Sequence, residues 1–180
     1  GLQWYLALQS RDAVLYALSF TFDPSVQLVW AALHVGATLV VSPPGALLES
    51  AVLSTLLQCQ IVTFTKLVPS VVSMHTQAGL VFSMETLIVA GEALPPELAR
   101  TLLSQTPLMQ LYNSCGPCEV TIQSSMFNVS SMAADALENA RSIPIGPSFP
   151  HTTCYVLDQY QAPVPLGVVA QLYLGGPKVS

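Results

Sequence analysis

Ile61-Val-Thr-Phe64, Val68-Pro-Ser-Val-Val-Ser-Met-His-Thr-Gln77 and Thr86-Leu-Ile-Val-Ala90 read in succession as an apolar run, a helix candidate and a second apolar run. Short apolar runs bounded by turn residues are what strands buried on both faces require. A helix between two such strands is the crossover that a parallel pair needs. The same alternation extends outward. Upstream, Val14–Leu18 and Thr38–Val41 read as strands on either side of a helix over Pro24–Val35. That helix follows Asp23, a good N-cap, has proline at its first position, and carries Val26, Val29, Trp30 and Leu33 on one stripe. Leu47–Gln58 and Pro95–Ser104 read as further helices and Leu108–Tyr112 as a further strand. The expected fold class is therefore α/β, a largely parallel sheet layered with helices, over residues 1–142.

From Pro144 the texture changes to Pro- and Gly-rich sequence with two alternating runs, Thr153–Leu157 and Val168–Leu174. These predict antiparallel pairing and the start of a β-rich subdomain over 143–180. Asn128–Ser142, polar and small, reads as an irregular surface excursion.

Composition narrows the function. Of 180 residues 52% are apolar and 8% charged, with a mean hydropathy of +0.56. Disorder needs the opposite profile, and so few charges suit the interior of a larger protein. With Gly1 at its start and Lys178-Val-Ser180 at its end, the expectation is a piece of a longer polypeptide. Ten acids against five bases, with no basic stripe, exclude nucleic acid as a partner. The longest apolar stretch, Leu28–Val41, is broken by His34, Gly36 and Thr38 and falls short of the roughly 20 residues that span a bilayer. No membrane partner is expected, and the first residues lack a secretory signal. Cysteines at 59, 115, 118 and 154 form no disulfide framework, so a reducing, cytoplasmic setting is expected. Asn128-Val-Ser130 fits a glycosylation acceptor, a three-residue pattern that means nothing without secretion.

Two motifs compete. Cys115-Gly-Pro-Cys118 is the thioredoxin tetrapeptide, and a thiol-disulfide oxidoreductase would need a helix starting at its second residue to lower the first thiol's pKa. Glu119-Val-Thr-Ile-Gln-Ser-Ser follows instead, which favours a strand, and Ser114 replaces the usual preceding aromatic. Zinc is disfavoured because Cys59 and Cys154 are not spaced as a second pair. The other motif is dispersed: Phe22-Asp-Pro-Ser25, Leu67-Val-Pro-Ser70, Ala90-Gly-Glu-Ala93 and Tyr112-Asn-Ser-Cys-Gly-Pro-Cys-Glu119, followed by Ile143-Pro-Ile-Gly146, Tyr155-Val-Leu-Asp158 and Val164–Val169 leading to Leu172–Gly176.

In that order and spacing the chain resembles the adenylation domain of nonribosomal peptide synthetases, in the acyl-adenylate-forming superfamily. The resemblance runs essentially end to end and implies that an amino acid is activated with ATP and Mg2+ and passed to the phosphopantetheine thiol of a carrier protein, beside condensation domains. It implies a substrate pocket of Asp23, Pro24, Gln27, Lys66, Ile88, Ala90, Ser114, Ile122 and Gln123. Asp23 would pair with the α-ammonium; the residues alone equally allow a helix cap. Lys66 would lie in the pocket; alternatively it is a solvent-facing lysine at a strand end. The implied nucleotide contacts are Gly91, Glu92 and Ala93 against adenine, Asn113 at its exocyclic amine, and Cys115 and Cys118 on the loop. Glu119 takes the magnesium position or is an ordinary exposed carboxylate.

The departures from the family pattern are Cys115 for an aromatic, Cys118 for a threonine, Pro147 for arginine and Gln171 for glutamate. The family's phosphate loop, ribose-binding aspartate, hinge and catalytic lysine have no counterpart here, so no catalytic residue is assigned and the chain alone is expected to be inactive. A degenerate, non-catalytic adenylation-like domain is the remaining alternative.

Overall fold

The structure, a computed structural model, describes residues 8–180; Gly1 lies outside them. Strands β1 (Ala13–Tyr16), β2 (Thr38–Val41), β3 (Phe64–Leu67), β4 (Thr86–Ala90), β5 (Gln110–Cys115) and β6 (Ser125–Asn128) form one sheet in the order β2-β1-β3-β4-β5-β6. All pairs are parallel except β5 with β6. Helices α1 (Pro24–Val35), α2 (Ser50–Cys59), α3 (Pro69–Gln77) and α4 (Pro96–Gln105) make the crossovers. A separate antiparallel pair, β7 (Thr153–Leu157) and β8 (Gln171–Gly175), bears out the expected hairpin.

Side-chain alternation divides the core in two. Leu15, Leu67, Leu87 and Val89 join Leu53 of α2, Val72 of α3 and Leu98 and Leu102 of α4 in one cluster. Val14, Phe64 and Ile88 point the other way and join Leu28 and Ala32 of α1.

Several elements depart from expectation. β3 begins at Phe64, three residues beyond Ile61, which takes a φ of +47° and is exposed. The turn that closes α2 consumes Ile61, and Val14 pairs with Phe64. The shift puts Lys66 inside a strand. β5 likewise ends at Cys115 rather than Tyr112, while Leu108 is exposed. On α1 the expected stripe is not the inner face: Val26, Trp30 and Leu33 are exposed, and Leu28, Ala31 and Ala32 are buried. Small residues there let the helix approach the sheet closely. Residues 128–142 are more regular than expected, with a 3-10 turn at Val129–Ser131 and a helix, α5 (Ala134–Glu138). Arg100 holds α5 by donating to the carbonyls of Leu137 and Glu138 at 3.1 and 3.2 Å.

Residues 143–149 run back along β6. Phe149 N–H donates to the Ser124 carbonyl at 2.8 Å, Ser148 bridges Ser125, and Ile143 and Phe149 are buried in the two clusters.

Candidate functional site

After β1 the chain crosses by α1 to β2 on one side, then by α2 to β3 on the other. Ligands of open parallel sheets bind at the carboxyl ends of strands where the order reverses in this way. A cavity of about 210 Å³ lies there. The β1–α1 segment contributes Leu18, Phe22, Asp23 and Pro24; β3 and its exit contribute Lys66, Leu67 and Val68. Ala90 and Gly91 close it from β4, and Ser114, Gly116, Pro117, Cys118 and Ile122 from the β5–β6 connection.

Asp23 sits before α1 in helical backbone conformation (φ −53°, ψ −32°) and makes no side-chain cap. The capping alternative therefore fails: a capping residue needs extended backbone so that its side chain can turn back to the first N–H groups. Its Oδ2 is buried without a partner beside the cavity.

Lys66 is 2% exposed, which overturns the solvent-facing alternative. Its Nζ donates to Gln27 Oε1 at 3.0 Å, Gln27 Nε2 to Gln123 Oε1 at 2.7 Å, and Gln123 Nε2 to Met126 Sδ at 3.2 Å. Burial lowers the lysine pKa to about 8, and the Asp23 charge opposes that shift. Gln27 and Gln123 thus reach the cavity through Lys66. Ile88 pairs in register with Lys66 but is wholly buried in the core and does not line the cavity, while Ala90 and Ser114, paired with each other, do.

Of the expected nucleotide residues, Gly91 faces the cavity with a φ of +89°, a conformation open to glycine at no steric cost. The Glu92 carboxylate accepts from Ser70 N–H at 2.9 Å and Ser70 Oγ–H at 2.8 Å, capping α3 and holding the β4 exit loop. Ala93 is exposed next to it. The Asn113 amide donates to the carbonyls of Pro144 at 2.9 Å and Ile143 at 3.4 Å; Asn113 is buried and is not among the residues that line the cavity. Cys115 is half-buried at the end of β5, and Cys118 opens a 3-10 turn, Cys118–Val120.

The oxidoreductase alternative is overturned at this loop. No α-helix starts after Cys115, and both thiols are raised rather than depressed. Burial raises Cys115, with a smaller effect of Cys154; hydrogen bonding to Asp23 is the largest cause at Cys118.

Gly116 was legible only as part of a motif, yet its need for glycine is tertiary. A Cβ there would stand 2.5 Å from Gln123 Cα and from the Ile122 carbonyl oxygen. Phe22, a cavity wall, was likewise legible only as part of a motif, and the roles of Leu18 as a cavity wall and of Lys178, whose Nζ donates to the Gln123 carbonyl at 2.8 Å, had no sequence signal. Glu119 is an exposed carboxylate, and among the described residues no group of three His, Cys, Asp or Glu could hold a metal ion. A single loop carboxylate fits Mg2+ carried on phosphate oxygens and does not fit an all-protein cage.

The family model for AMP-binding enzymes matches residues 2–180, and the chain belongs to that family. It is 38% identical over 94% of its length to a linear gramicidin synthase of Brevibacillus parabrevis, and 30% identical over 98% to malpibaldin synthetase of Mortierella alpina. The chain spans 2% and 3% of those two proteins. Among solved structures, the nonribosomal peptide synthetase FmoA3 superposes over 99% of this chain and 19% of its own, with a TM-score of 0.87 and 25% identity. The region matched is thus similar to adenylation domains of nonribosomal peptide synthetases. Among the described residues no helix is long and apolar enough to cross a membrane.

Proposed function

We propose that this chain supplies the amino acid pocket and part of the nucleotide site of an ATP-dependent adenylating ligase acting in nonribosomal peptide synthesis. The observation that carries the proposal is the convergence of Asp23, Lys66, Ala90, Gly91, Ser114 and Cys118, drawn from four strand exits, on one cavity at the reversal of strand order. FmoA3 has been solved with AMPPNP bound, which supports ATP as the co-substrate.

The amino acid carboxylate attacks the α-phosphorus, the bond to pyrophosphate breaks, and pyrophosphate leaves. The thiolate of a carrier-bound phosphopantetheine then attacks the acyl carbon, forming a thioester and releasing AMP. In this chain Asp23, with an unpaired buried oxygen, binds and orients the α-ammonium. Gly91 lets backbone approach adenine. Glu119 would hold Mg2+ already bound to phosphate, and the ion would neutralise charge developing there. The remaining phosphate contacts are supplied by the polypeptide that carries this chain, as are the carrier and condensation partners. Cys115 and Cys118 are weaker hydrogen-bonding groups than a hydroxyl, which bears on nucleotide affinity.

The test is amino-acid-dependent ATP–pyrophosphate exchange by that polypeptide, with calorimetric titration of ATP. Exchange that is lost for every α-amino acid in Asp23→Ala is the expected result. Absence of both exchange and ATP binding would leave the degenerate, non-catalytic domain as the answer.

A further inference from the structure

We infer that the pocket selects an acidic α-amino acid, one whose side chain ends in a second carboxylate. This deepens the adenylation reading and rests on it.

The hydrogen-bond chain along the cavity wall has a direction. Met126 Sδ accepts from Gln123, Gln123 Oε1 from Gln27, and Gln27 Oε1 from Lys66. Each glutamine oxygen is taken, so what the chain presents at its open end is the Lys66 ammonium, with N–H groups beyond the one given to Gln27. A group meeting it must be an acceptor. Lys66 is almost wholly buried, and a buried ammonium without a counter-charge is among the most unfavourable arrangements in a protein.

Charge counting separates a carboxylate from an amide. Among the described residues that line the cavity, Asp23 is the one acidic and Lys66 the one basic side chain. An α-amino acid brings an ammonium, which engages Asp23, and a carboxylate, which is directed to the nucleotide. Asp23 is then occupied, and the one opposing charge that acts on Lys66 is taken up by the ammonium. An aliphatic side chain would cover the ammonium with hydrocarbon and an amide would offer it a dipole only. A side-chain carboxylate restores neutrality and accepts a charge-assisted hydrogen bond. Such a bond is worth a discrimination of roughly ten- to a hundredfold.

The experiment is ATP–pyrophosphate exchange by the polypeptide carrying this chain, across aspartate, glutamate, asparagine, glutamine, leucine and phenylalanine, for the native protein and for Lys66→Met and Lys66→Arg. Expected is a kcat/KM for aspartate or glutamate at least about tenfold above the other four, abolished by Lys66→Met through a raised KM and retained by Lys66→Arg. Highest activity with leucine, phenylalanine or an amide overturns the inference and leaves adenylation standing. So does an acidic preference that survives Lys66→Met. No exchange with any amino acid, together with no ATP binding, removes the adenylation reading itself and this inference with it. Circular dichroism and calorimetric binding of aspartate to each variant separate a misfolded protein from an altered pocket.

Discussion

The six-stranded sheet and the β7–β8 pair are built from similar apolar residues under opposite conditions. Every residue of β3, Phe64 through Leu67, is buried, whereas Thr153 through Val156 of β7 and Gln171 through Tyr173 of β8 are exposed. Inside the large sheet a polar group needs a partner or a purpose: Thr65 donates to the Leu15 carbonyl at 3.2 Å, Asn113 ties down residues 143–144, and Lys66 heads a directed chain. Water satisfies the polar groups of the hairpin, so they carry no such information. A buried polar residue is the better guide to function.

The largest effect that would sharpen this contrast is on packing. Leu87→Ala, at a wholly buried position, should destabilise by about 3 kcal/mol, while Leu172→Ala on β8 should fall within about 0.5 kcal/mol. Urea denaturation monitored by circular dichroism measures both, and equal losses would break the contrast.

Lys66 supplies the next effect. Its pKa in the fold, about 8, lies below its ordinary value of 10.5, so between these values the unfolded chain holds a proton that the folded chain does not. Stability contributed by this group therefore rises as pH climbs from about 8 towards 10.5, and below pH 8 the buried charge is a constant cost. Lys66→Met should stabilise the fold by about 1–2 kcal/mol at pH 7. The gain should shrink as pH rises through that window. A loss of stability at pH 7 would show that the lysine serves the fold rather than the pocket.

The smallest effect concerns reactivity. Cys115 and Cys118 should be alkylated with midpoints at or above the ordinary thiol value of about 8.5. A midpoint below about 7 at either would restore the redox interpretation of the tetrapeptide.

Alternation of apolar runs with proline-led segments was enough to expect a mostly parallel sheet, the extent of α1 and β2, and the antiparallel hairpin. Local signals suffice there because period and turn chemistry are properties of neighbouring residues. The exact start of β3 was not legible, since Ile61 and Phe64 are both apolar and β-prone and only pairing with Val14 chooses between them. That choice carried Lys66 from a strand end into the strand. The inner face of α1 was hidden for a related reason: the helix is apolar on several sides, and which side meets the sheet is decided by how closely small residues let it approach. At the site, the family resemblance named Asp23 and Lys66, but one sequence could not say whether Asp23 capped a helix or Lys66 faced water. Side-chain direction settled both. Direction is set by backbone angles and by neighbours that the fold brings from distant positions, here Gln27 and Gln123 against Lys66 and the Cys118 loop against Asp23.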